Sequence, residues 1–169
     1  MAVELRRREA SRVLLVDEAE RLLLLCGGDP RRAGHRWWFT VGGGVGRGED
    51  HLGAAVRELR EETTLALPAG RFGPVAWTRR AFFTYDGQAY DQREEYRLVR
   101  ITAAEAGRIR VDSTEATHGH HWWTLDELAA TEETVYPERM AVPLAELLRA
   151  GPPELPLHLG DFTEGVDPE

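Results

Sequence analysis

The sequence predicts a mixed α/β or α+β domain, with strand-like segments on both sides of one helix that follows a glycine loop. Three observations carry that expectation. Apolar, aromatic and β-branched runs recur at residues 12–16, 21–25, 35–41, 75–84, 95–102 and 118–124. Leu52, Ala55, Val56 and Leu59 recur at helical spacing over residues 51–63, after an Asp50 suited to cap the first turn. Neither an internal repeat nor a linker breaks residues 1–150, which read as one domain, and the proline-rich, acidic residues 151–169 read as an extended tail.

Taken in order, residues 12–16 and 21–25 are joined by the polar 17–20, a hairpin signal. The aromatic run 35–41 enters the cluster Gly42, Gly43 and Gly44, where a loop begins. Asp86 and Gly87 mark a turn between the strands that follow the helix. A short helix is expected over residues 125–130 and a longer one over 138–149, where Met140, Val142, Leu144, Leu147 and Leu148 make one apolar stripe.

Composition excludes several classes. A chain of 169 residues suits one domain, and a domain of that size buries about 70% of its unfolded surface. With 42% hydrophobic and 30% charged residues, neither disorder nor a fibrous class is indicated. The lone Cys26 cannot form an internal disulfide, which favours a reducing compartment. Residues 1–12 lack the apolar centre of a signal peptide and the apolar run at 22–26 is too short to span a membrane, so a cytoplasmic protein without a membrane partner is expected. The net charge of −8 disfavours a nucleic-acid partner, and Arg6, Arg7 and Arg8 read as a solvated terminus. All basic residues are arginine, as codon bias in a GC-rich genome would give.

The chemistry concentrates at residues 43–65. Glu58, Glu61 and Glu62 stand at i, i+3 and i+4 of the expected helix, so three carboxylates share one face and repel unless something positive compensates. Arg57 can pair with Glu61, and a hard divalent cation suits the remaining oxygens. The bland alternative is a solvated acidic helix. The flanking glycines, which let carbonyls approach a metal and amides approach a phosphate, and Glu49 at the helix entrance argue against it.

This segment resembles the Nudix box of Nudix hydrolases, G-x5-E-x7-R-E-U-x-E-E-x-G-U with U aliphatic: Gly43, Glu49, Arg57, Glu58, Leu59, Glu61, Glu62 and Leu65 fall in place. One fixed position departs. Thr64 stands where the family has glycine, and the turn closing the helix is expected to be rebuilt to suit it. The resemblance implies an α/β/α sandwich around a mixed sheet and metal-dependent hydrolysis, with Mg²⁺ or Mn²⁺, of a nucleoside diphosphate linked to another group. By position it implies metal ligation by Glu58, Glu61, Glu62 and the Gly43 carbonyl, orientation of the glutamates by Arg57, and support of the loop by Glu49. Glu61 or Glu62 would serve as ligand and base together. Glu94 is a further catalytic candidate, on a strand face with Tyr96 and Leu98, and Glu95 is its neighbour rival.

Gly42, Gly43 and Gly44 are candidates to meet substrate phosphate, and one of Trp37 and Trp38, with Trp37 preferred, to stack on a base. In each tryptophan pair, including Trp122 and Trp123, one ring should face the core. His118, His120 and His121 read as surface or packing residues rather than a metal site. The expected partner is a nucleotide-type small molecule, with nucleoside triphosphates and nucleotide sugars both open, and the expected assembly is a monomer or homodimer. The rival reading, a non-catalytic Nudix-fold sensor, would be expected to lose box carboxylates that this chain keeps.

Overall fold

The structure, a computed structural model, describes residues 4–164. Along the chain run β1 (Arg6–Val16), β2 (Leu22–Gly28), β3 (Arg36–Gly44), α1 (His51–Thr63), β4 (Val75–Tyr85) and β5 (Gln88–Arg100). They are followed by α2 (Ala103–Gly107), β6 (His120–Trp123), α3 (Leu125–Ala130), α4 (Ala141–Ala150) and β7 (Leu157–Glu164). Among the described residues the strands form one mixed sheet in the order β6-β2-β3-β1-β5-β4-β7. The β1–β5 and β4–β7 pairs are parallel and the others antiparallel.

β1 shows why the architecture has three layers. Val13 and Leu15 pack with Ala55 and Leu59 of α1, whereas Leu14 and Val16 pack with Leu144 and Leu147 of α4. Successive strand side chains point to opposite faces, so a strand covered on both faces is apolar throughout rather than alternating. The same logic gives β2 its unbroken Leu22, Leu23, Leu24 and Leu25, all buried. Among the described residues no helix is long and apolar enough to cross a membrane.

The expected hairpin of β1 and β2 is paired only at its base, where Val16 faces Leu22. Asp17 holds the turn there by accepting from the amides of Ala19 (3.1 Å) and Arg21 (2.9 Å). Beyond it β3 takes the edge of β1, with Gly42, Gly43 and Gly44 opposite Arg12, Ser11 and Ala10. Gly42 (φ 137°) is needed at this approach, because a Cβ there would run into the Ser11 carbonyl oxygen. β5 begins at Gln88, earlier than the apolar pattern indicated, since Asp86 (φ 47°) and Gly87 (φ 79°) form a tight hairpin turn.

Part of the segment set apart as a tail belongs to the sheet. β7 lies beside β4 with Phe162 opposite Ala81, and the register breaks near Gly160 (φ 130°). The longer helix starts at Ala141 instead of residue 138, and α2 is a capped turn with no apolar period of its own, held by Thr102 and Glu105 in a capping box.

Candidate active site

The loop after β3 delivers the chain to α1, where the Asp50 side chain accepts from the Gly53 amide at 2.7 Å. One turn on, Arg57 is the hub of the loop. Its guanidinium donates twice to Glu49 (2.9 Å each), and to Glu58 (2.9 Å), Glu61 (3.0 Å) and the Gly44 carbonyl (3.0 Å). This fork geometry belongs to arginine and is beyond lysine. The Arg57 hydrogen bond and the Gly46 amide hold the Glu49 carboxyl down to about 2.

Glu62 faces the other way, into the protein. It is 6% exposed; its Oε1 accepts weakly from the Gly42 amide (3.3 Å), and its buried Oε2 has no hydrogen-bond partner among the described residues. Burial, with the neighbouring Glu58 carboxyl and the charge of Glu115, lifts its carboxyl well above the usual range against the opposing pull of Arg12. Glu58 lies against Gly43, where a Cβ would come within 2.6 Å of Oε1. Two neighbouring carboxylates with an orphaned buried oxygen are a donor set that fits a hard dication. The cage is incomplete, for among the described residues no three carboxylates or imidazoles are gathered to enclose an ion. Glu61 is 53% exposed and shares one Arg57 nitrogen with Glu58.

A cleft of about 450 Å³ opens beside this cluster, lined by arginines and aromatic rings that include Arg8, Arg12, Arg79, Trp37, Tyr85 and Tyr136. Arg12 stands at the join. It donates to the carbonyl of Gly42 (3.3 Å), the residue whose amide donates to Glu62, and to Glu94 (3.0 Å). Glu94 is buried, with one oxygen bound by Arg79 (2.6 Å) and Tyr96 (3.1 Å) and the other by Arg12 and Gln92 (3.0 Å). Its carboxyl is lowered because the two guanidiniums outweigh burial. That is the environment of an ionic anchor rather than of a proton acceptor.

Other expected residues are placed as follows. Glu95 is on the opposite face of β5, near His51 (3.4 Å). Gly42, Gly43 and Gly44 are engaged by Glu62, Glu58 and Arg57 respectively and do not line the cleft. Trp37 does line it, edge-on to Tyr85 at 6.5 Å, while Trp38 packs on the buried Trp123 at 5.2 Å. His121 bonds Glu127 (2.8 Å), and His118 and His120 are exposed. The turn after α1 is not rebuilt: Thr64 adopts the left-handed conformation (φ 64°, ψ 0°) and donates its amide to the Arg60 carbonyl, as a glycine would.

The sequence reading missed the basic and aromatic cleft wall. Arg6, Arg7 and Arg8 begin β1; Arg6 and Arg7 are exposed, as expected, but Arg6 and Arg8 also line the cleft. The signal was alternation: Arg79, Ala81, Phe83 and Tyr85 on β4 pair in register with Glu94, Gln92, Tyr90 and Gln88 on β5.

A family model described as the NUDIX domain matches residues 6–146, and the chain belongs to that family of Nudix hydrolases. Solved structures agree in fold. A MutT protein from Methanosarcina mazei Go1 superposes with a TM-score of 0.61 at 19% identity, over 88% of this chain and 97% of that one. A MutT NUDIX hydrolase from Burkholderia pseudomallei gives 0.60 at 21% identity, over 82% and 98%. No curated protein matches the chain.

Proposed function

We propose that the protein hydrolyses a nucleotide-type pyrophosphate by water attack on phosphorus, with Mg²⁺ or Mn²⁺ held by the box glutamates. The observation that carries this reading is the unpartnered, buried Glu62 Oε2 beside Glu58, next to a basic and aromatic cleft. Glu58 and Glu62 hold the cation, with the Gly43 carbonyl and Glu61 as further ligands. When bound, such an ion neutralises pyrophosphate charge and acidifies water.

The chain's own residues do the rest. Arg57 keeps Glu58 and Glu61 oriented, and Glu49 in turn fixes the Arg57 fork. Glu61, the most exposed of the three carboxylates, meets solvent water and takes its proton. Trp37 and Tyr85 supply aromatic rings for the base, Trp37 to stack on it, and Arg12 sets positive charge between the cleft and the glutamates. Glu94 acts by positioning Arg12 and Arg79.

A panel of nucleoside triphosphates and nucleotide sugars, incubated with Mg²⁺ or Mn²⁺ and read by mass, tests this. Cleavage at a pyrophosphate bond, lost in Glu62→Gln, supports it. Binding without cleavage across the whole panel would make the protein a sensor instead.

A further inference from the structure

Gln92 is 2% exposed, lines the cleft, and belongs to the Glu94 network. Its orientation is fixed by chemistry. Ionised Glu94 only accepts, so the Gln92 group that meets its Oε2 at 3.0 Å is the NH₂, and the amide cannot flip without setting oxygen against oxygen. The carbonyl Oε1 is therefore left over, buried and without a hydrogen-bond partner among the described residues.

The neighbours make this acceptor stand out. Ala81 lies across the ladder from Gln92 and lines the cleft beside it. Of the charged groups that line the cleft, Arg8, Arg12 and Arg79 are donors only, Glu94 already uses both oxygens, and the Glu115 carboxylate is exposed to solvent. An entering ring thus meets many donors and, in Gln92 Oε1, a buried acceptor held in one orientation.

We propose that Gln92 is a specificity residue of the cleft, its Oε1 accepting a hydrogen bond from an N–H group on the ring of the bound nucleotide. This rests on the nucleotide reading above. A site with a buried polar atom to satisfy rejects a ligand that lacks the matching group more strongly than an apolar pocket rejects a change of shape.

The test uses the full chain and pairs of probes in which one member lacks an N–H-bearing group: adenosine and purine-riboside 5′-monophosphates, which differ by the 6-amino group, and uridine and N3-methyluridine 5′-monophosphates, which differ at N3–H. Affinities are measured by calorimetry without metal, so that they do not depend on turnover. The wild-type protein should bind the N–H-bearing member of at least one pair about tenfold or more tightly, a difference of about 1.4 kcal/mol. Gln92→Met, of similar length but without the amide, should erase that difference. The wild-type comparison stands even if the variant fails to fold. Equal affinities within both pairs, or a preference that survives in a folded Gln92→Met, would overturn the assignment. If the pyrophosphate panel is cleaved but the pairs are not distinguished, the Gln92 proposal alone fails. If no probe binds and nothing is cleaved, the nucleotide reading fails with it.

Discussion

The guanidinium of Arg79 lies over the ring of Phe162, 5.0 Å from its centre, and Tyr136 stands 5.6 Å from the same cation. Phe162 comes from β7, which lies outside the residues that the family model matches, yet it helps to fix the arginine that grips Glu94. Phe162→Ala should lower stability by about 1–2 kcal/mol, and Phe162→Tyr should recover most of it, as measured by denaturant midpoints. An alanine variant as stable as the wild type would make β7 a passive addition.

Arg57 joins five acceptor contacts that a single ammonium cannot span. Arg57→Lys keeps the charge and should still cut turnover by about 10–100-fold, the scale of lost support around metal ligands. Steady-state kinetics decide the matter; full activity in the lysine variant would mean that charge alone is needed.

Glu62 adds its own contribution to the pH dependence of the metal-free protein, opposite in sign to that of the carboxyls that arginines hold low. A carboxyl whose folded-state pKa is raised stabilises the fold while protonated, below its usual 4.5, and loses that contribution as pH rises toward the raised value. Metal-free Glu62→Gln should therefore match the wild type near pH 4 and exceed it by about 1–3 kcal/mol at neutral pH. Adding Mg²⁺ at neutral pH should close the gap by stabilising the wild type only. Melting curves at the two pH values check this, and a gap that is widest at acid pH contradicts it.

Thr64 holds a left-handed backbone at φ 64° with a β-branched side chain. Relief of about 1–2 kcal/mol of strain, less about 0.4–1 kcal/mol of extra unfolded-state freedom, should make Thr64→Gly more stable by several tenths to about 1 kcal/mol. A lower denaturant midpoint at unchanged m-value would show that the threonine side chain compensates.

These residues also show how far sequence carried the account. The box helix, its Asp50 cap and its carboxylates were legible because helical period and fixed spacing are local signals. Thr64 misled because side-chain preference was weighed against a turn that the backbone hydrogen bond to Arg60 imposes regardless. β7 was hidden because an edge strand with prolines upstream and a glycine inside it carries weak alternation. Glu94 could be placed on its strand face, but its two arginine partners sit 82 and 15 residues away, and only sheet register brings them together. Alternation on β4 and β5 marks one stretch of the cleft wall, but the rest comes from β1, β2, β3 and the loops that carry His35, Glu115 and Tyr136, which only the fold brings together.

The central claim is that Glu62 and a divalent ion act together in pyrophosphate hydrolysis. The most direct measurement follows product formation by mass from the best substrate of the panel, for wild type and Glu62→Gln, with Mg²⁺, with excess EDTA, and with Mg²⁺ restored. Wild-type turnover should be abolished by EDTA and recovered with Mg²⁺, and a folded Glu62→Gln variant should be slower by orders of magnitude. Turnover that persists in EDTA, or a Glu62→Gln variant that keeps most of its activity, would contradict it.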